Sequence, residues 1–161
     1  MPLTMLERIA QAVYFFLPAY VANTLPGIFG GGTPVDFGKR FVDGRRLLGD
    51  GVTIRGTLAG IAGGTLVGAL QGNLLLGFLL ASGALAGDAA GSFIKRRLGL
   101  ERGAPAPLLD QLNFVVGALV FASLITEIPA DYIVVLFVIT PFAHVTVNYL
   151  GYRLKVKDVP W

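Results

Sequence analysis

Six polar residues stand where two apolar runs come together. Asp88, Ser92, Lys95 and Arg96 follow and overlap the end of the run from Asn73 to Gly87, and Asp110 and Asn113 precede the run from Phe114 to Ile125. At about 3.6 residues per turn, Asp88, Ser92 and Lys95 fall within roughly 60° of one helix face, with Arg96 beside them. That face carries a carboxylate, a hydroxyl and a cation at the edge of a membrane segment. An acid inside a membrane helix costs about 2.5 to 3.5 kcal/mol on insertion scales, so such residues tend to be kept for function. The plainer reading places Asp88 and Asp110 at the interface, snorkelling or paired with Arg96 and Arg97.

A second group lies upstream. Thr24 to Arg55 is the longest polar stretch and holds Gly30, Gly31, Gly32, Asp36, Lys39, Arg40, Asp43, Arg45, Arg46, Asp50 and Arg55. Loops of this length are commonly functional or disordered. Phe29, Phe37, Phe41, Leu47 and Leu48 give this one apolar anchors and argue against disorder. Gly30 to Gly32 let backbone amides approach a ligand, as phosphate-cradling loops do, or else form a simple turn. Beside them, Arg45, Arg46 and Arg55 suit forked hydrogen bonds to phosphate oxygens. The same cations also read as a topology signal.

These residues must be positioned by membrane helices. Of 161 residues, 54% are hydrophobic and only 14% charged, and the mean hydropathy is +0.69. That excludes an ordinary soluble fold. Cysteine is absent, which removes disulfides and thiolate chemistry, and His144 is the sole histidine, so a His-based zinc site or triad lacks its parts. His144 reads as a packed or hydrogen-bonded core residue.

The expected architecture is all-α: a polytopic membrane protein with about five transmembrane helices and a long cytoplasmic loop between helices one and two. The spans are read at residues 6–22, 55–72, 73–98, 110–126 and 132–154, with cytoplasmic loops at 24–55 and 99–109, in one membrane domain over residues 1–161. The first segment lacks a basic n-region and a small-residue cleavage site, so it reads as a retained helix, kinked at Pro18. Gly56, Gly60, Gly64, Gly68 and Gly72 form one small-residue ladder, and Gly83, Gly87 and Gly91 form another. Such ladders let helices approach closely. They are expected to join spans two and three and to draw Arg55 toward Asp88. Gly99 is the expected stop of the third helix. Among 13 Lys and Arg residues, only Arg8 falls on one side of this layout, which predicts an outside N-terminus and cytoplasmic loops and C-terminus. Arg102 counts among the cytoplasmic cations, and Arg153, Lys155, Lys157 and Trp161 read as an interfacial anchor.

The order Gly87-Asp88, Ser92, Lys95-Arg96, the loop Gly103-Ala104-Pro105-Ala106-Pro107, then Asp110-Gln111-Leu112-Asn113 resembles the signature of CDP-diacylglycerol synthases. These are membrane cytidylyltransferases that join CTP to a lipid phosphate. The upstream stretch from Pro18 to Gly56 resembles their archaeal branch, the CDP-archaeol synthases. The chain departs from the bacterial pattern in its Ala-Pro-Ala-Pro loop, in Gln111 where an Arg is usual, and in Asn113, which replaces a second Asp and is a weaker metal ligand. The resemblance implies CTP and an isoprenoid glycerol phosphate lipid as partners, with no nucleic acid. It implies Mg²⁺ held by Asp88 and Asp110, and catalytic roles for Asp88, Lys95, Arg96 and Asp110. Gly30, Gly31, Gly32, Asp36, Arg45, Arg46, Asp50, Arg55 and Ser92 would then bind nucleotide or phosphate. Two other classes stay open: a CDP-alcohol phosphotransferase, suggested by Asp43-Gly44 although the rest of that motif is absent, and an anion channel or transporter.

Overall fold

The computed structural model describes residues 4–101 and 103–155; Arg102, Lys157 and Trp161, with the orientation and anchoring roles expected of them, lie outside these. The described residues form five helices: α1 (Met5–Phe29), α2 (Ile54–Leu70), α3 (Leu74–Arg97), α4 (Leu109–Ala122) and α5 (Ala130–Arg153). The all-α membrane architecture is as expected. α1, α3 and α5 are long and apolar enough to cross a membrane, and α2 and α4 are shorter apolar helices. At about 1.5 Å per residue, α2 reaches about 26 Å and α4 about 21 Å, below the roughly 30 Å of hydrocarbon in a bilayer.

α1 begins in a capping box, in which the Thr4 backbone N–H donates to Glu7 at 2.7 Å and the Glu7 N–H donates to the Thr4 hydroxyl at 3.3 Å. It runs well past the expected end near residue 22, passing through Pro18 and Pro26 to Phe29. A proline in a helix orphans the carbonyl four residues earlier. For Pro18 that carbonyl belongs to Tyr14, and the Gln71 side-chain amide, from the turn after α2, donates to it at 2.6 Å. The loop that follows α1 is correspondingly shorter than expected, covering 30–53.

The glycine ladders sort the helices. A Cβ on Gly60 would lie 2.7 Å from the Ala22 carbonyl of α1 and 2.9 Å from Leu85 of α3, and one on Gly64 would lie 2.6 Å from both the Pro18 carbonyl and the Ala81 methyl. α2 is therefore wedged between α1 and α3, where lipid-phase packing requires close backbone approach. The ladder on α3 does something else. Gly83 and Gly87 meet the backbone of Gly117 and Asn113 on α4, and Gly91 meets the Asn113 side chain. The expectation that this ladder faces α2 is corrected: α2 contacts α3 through Gly77, Ala81 and Leu85, on another face. Phe16, Leu80, Phe114, Val115 and Leu136 fill the centre of the bundle.

α5 is fastened to α1 near the N-terminal ends of both. Arg8 pairs with Asp131 at 2.8 Å and the Tyr132 hydroxyl donates to Gln11 at 3.1 Å. Further along, the Tyr20 and Thr140 hydroxyls meet at 2.7 Å. At the other end of the bundle the 30–53 loop folds back on itself: Val35 N–H donates to the Val52 carbonyl and Phe41 N–H to that of Arg45. It docks on the end of α3, where the Arg97 guanidinium lies over the rings of Phe41 and Phe93, 5.0 and 4.6 Å from their centroids.

Candidate functional site

Below the Tyr20–Thr140 contact, α1, α3, α4 and α5 surround a cavity of about 700 Å³. Asp88 and Lys95 enter it from α3 and Asp110 from the first turn of α4. Gly30, Gly31, Gly51, Gly103 and Ala104 border its loop end, and Val13, Phe114, Ile139, Ala143 and Val147 give it apolar lining. The cavity thus joins a charged mouth to an oily interior.

The start of α4 is built to aim Asp110. Leu108 has a positive φ, 67°, a sparsely populated backbone conformation that costs about 1 to 3 kcal/mol for a residue with a Cβ. Its N–H is accepted by Gln111, while one Asp110 oxygen accepts from the Ala106 N–H at 2.8 Å. The other accepts from Lys95 Nζ at 2.9 Å, and both side chains are mostly shielded from water. Asp110 also sits at the N-terminus of α4, where a negative charge is favoured. Asp88 is approached by Asn113, whose amide nitrogen donates at 3.3 Å. The Asn113 oxygen accepts from the Phe114 N–H. Its amide therefore turns its donor, not its oxygen, toward Asp88, and Asn113 orients that carboxylate.

Among the described residues there is no cluster of three or more His, Cys, Asp or Glu side chains. Two carboxylates on one cavity nonetheless fit Mg²⁺, which takes one or two protein carboxylates and fills its remaining positions with water and phosphate oxygens.

Of the other residues expected at the site, Gly30 and Gly31 reach the cavity wall. Gly31 and Gly32 have φ of 94° and 79°, so the triple glycine turns the chain out of α1. Gly32, Ser92, Arg96, Asp36, Arg45, Arg46, Asp50 and Arg55 do not line the cavity. Arg55 does not line the cavity that Asp88 enters; its guanidinium donates to the carbonyls of Phe29 and Gly30 and closes the end of α1. Arg45 does the same for α3, donating to the carbonyls of Arg96 and Arg97. Exposed helix carbonyls attract cations, which explains both. Arg46 bridges Asp36 at 2.8 Å and Asp50 at 2.7 Å. Arg97 pairs with Asp43 at 2.8 Å, and the Arg96 side chain lies against Gly49.

Asp36 is the hub of the loop and only 4% exposed. Burial alone would push its carboxyl pKa up, but hydrogen bonds from Arg46 and from the backbone N–H groups of Gly49, Leu48 and Gly38 outweigh that and hold it well below the usual carboxylate range.

Sequence reasoning missed two stripes that line the same cavity: Tyr20, Asn23 and Thr24 on α1, and Thr140, His144 and Asn148 on α5. The signal was present in the spacing. Polar residues three or four apart on an apolar helix share one face, and in a bilayer that face turns inward.

The chain is similar along nearly its whole length to proteins of one family. Residues 5–161 match the family model described as CarS-like, CDP-archaeol synthase. The CDP-archaeol synthase of Methanocaldococcus jannaschii is 50% identical, over 93% of this chain and 96% of its own. That of Methanopyrus kandleri is 51% identical, over 96% of this chain and 94% of its own. A solved structure of an intramembrane enzyme for archaeal membrane lipids biosynthesis superposes with a TM-score of 0.74 at 46% identity, covering 87% of this chain and 94% of that one.

Proposed function

The chain belongs to the CDP-archaeol synthase family, and from that premise we propose that it transfers CMP from CTP to an archaeal di-geranylgeranyl glycerol phosphate. Family membership sets aside the channel and the CDP-alcohol phosphotransferase. The observation that carries the finer reading is the two-ended cavity, in which Asp88, Lys95 and Asp110 meet glycine backbone at one end and apolar side chains reach toward the other. A soluble triphosphate and a lipid phosphate can meet there without either leaving its own medium.

In the reaction, an oxygen of the lipid phosphate bonds to the α-phosphorus of CTP. The bond from that phosphorus to the bridging oxygen breaks, and pyrophosphate leaves with the electron pair. A phosphate monoester has a second pKa of about 6, so it is largely ionised near neutral pH and needs no strong base. What the site must do is hold two anions together. Lys95 supplies an ammonium where the phosphates converge, and Asp110 orients it. Asp88 and Asp110 would hold Mg²⁺, which when bound neutralises phosphate charge and polarises the reacting phosphoryl group. Asn113 steadies Asp88. Arg96, turned toward Gly49, belongs with the loop and not with this cluster. Arg45, Arg46 and Arg55 act at one remove, by fixing the loop and the helix ends that border the cavity.

The test is incubation of purified protein with labelled CTP, Mg²⁺ and the lipid phosphate. A CDP-lipid and pyrophosphate in equal amounts are expected. Anion flux in liposomes with no nucleotide turnover would overturn the reading.

Orientation follows from the same layout. The ends of α1, α3 and α5 that carry the loop and the C-terminal cations face the cytoplasm, and the N-terminus lies outside. A reporter fused after Gln71 is expected to report the outer side, and one after Gly103 the cytoplasm. The reverse result would invert the topology and separate the site from its nucleotide.

A further inference from the structure

The reading above leaves one wall of the cavity without a task. Thr140, His144 and Asn148 are spaced four apart on α5, so they form one stripe on a largely apolar helix. Thr140 is fully buried and Asn148 only 4% exposed, and all three residues line the cavity opposite α3. Buried polar residues in a bilayer are costly and need partners. The Asn148 amide nitrogen, a donor only, lies 3.1 Å from His144 Nδ1 and 3.5 Å from Nε2. With Nδ1 as the acceptor, the ring proton resides on Nε2, and the imidazole is a hydrogen-bond donor.

Depth decides what this donor can meet. α1 and α5 run in the same direction from the Arg8–Asp131 pair, and Tyr20 is level with Thr140. His144 stands one turn further along, about 6 Å deeper toward the loop end, at the level of Thr24. Its neighbours on the cavity wall are Ala143 and Val147, whereas the charged group of Asp88, Lys95 and Asp110 faces it from α3 and α4. The loop end of the cavity, bordered by Gly31 and Gly103, suits the nucleotide. A lipid whose chains lie along the apolar lining brings its phosphate past α5.

We propose that His144, oriented by Asn148, is a positioning residue for the acceptor: it donates to the phosphate monoester of the lipid and holds it in line with the nucleotide. This rests on the cytidylyltransferase reading and adds to it the place where the second substrate is gripped. No covalent step passes through His144; it binds and aims.

The experiment measures KM for di-geranylgeranyl glycerol phosphate in detergent micelles and KM for CTP separately, in the wild-type protein, His144→Ala and His144→Gln. A hydrogen bond to a charged group predicts that His144→Ala raises the lipid KM about tenfold or more, with the CTP KM within about twofold of wild type. His144→Gln keeps an N–H donor and is expected to recover part of the loss. If the lipid KM is unchanged in His144→Ala, or if both KM values rise in parallel, the assignment is wrong. Should His144→Ala not fold, His144→Gln and Asn148→Ala are read in its place: a selective rise in the lipid KM in either supports the assignment, and no rise in both overturns it. A wild-type protein that forms no CDP-lipid would instead count against the reading of the reaction, so the two failures are distinguishable.

Discussion

In the loop between α1 and α2 and in the first turn of α2, Arg45, Arg46, Arg55 and Asp36 each meet a partner within the protein: helix-end carbonyls for two of the arginines, and an internal ion pair for the other two residues. In the cavity, Lys95 and Asp110 also pair with each other, yet they and Asp88 border a volume of about 700 Å³ that protein does not fill. Both regions are rich in charge. Only the second places its charge on a space large enough for a substrate, so the density of cations in the sequence points to the loop while the cavity lies beside α3 and α4. The loop's charge is cohesive and the cavity's charge is presented.

The strongest way to break this contrast is to remove charge from the cavity. Asp88→Asn and Asp110→Asn keep size but remove the anion a hard cation requires, and each is expected to lower CDP-lipid formation by about 100-fold or more while the helical circular dichroism persists. Near-normal turnover in both folded variants would remove the metal assignment. A large effect of a different kind is expected from Gly87→Ala. The added Cβ meets the Asn113 carbonyl, so α3 and α4 must part and the detergent-solubilised protein should lose about 1 to 3 kcal/mol of stability. An unchanged melting temperature would show that the helices have room.

Arg45→Lys sharpens the comparison. Lysine keeps the charge but not the fork that spans two carbonyls. A cohesive role predicts a stability loss of about 0.3 to 1 kcal/mol with the CTP KM unaltered; a tenfold rise in that KM at constant stability would move Arg45 into the site. The smallest effect is expected from acid. The Asp36 carboxyl is held below its ordinary value in the folded loop, so its contribution is fully present above the unfolded pKa of about 3.9 and fades as pH falls below it toward the folded value. Protection of the Leu48 and Gly49 amides relative to their intrinsic exchange rates should persist at pH 5 and above, and fall only in stronger acid. Early loss at pH 6 would count against Asp36 as the hub.

The helices and the polar face of α3 were legible because hydropathy and the 3.6-residue period act locally. Asp88, Lys95 and Asp110 were found that way. The arginines were misplaced for a physical reason: a guanidinium is equally suited to a phosphate and to the carbonyl end of a helix, and spacing does not say which lies nearer. The extent of α1 was also hidden, since Pro18 and Pro26 look like breaks until a partner from another helix is in place. His144 was read as core because it is single. Its alignment with Thr140 and Asn148 acquires meaning only when α1 supplies the opposite wall.

The bond from Gln71 to the Tyr14 carbonyl bears on how the protein is assembled. Pro18 leaves that carbonyl without its intrahelical donor. The turn between α2 and α3 supplies one in its place. The first helix is thus completed by the turn between the two that follow it in the chain.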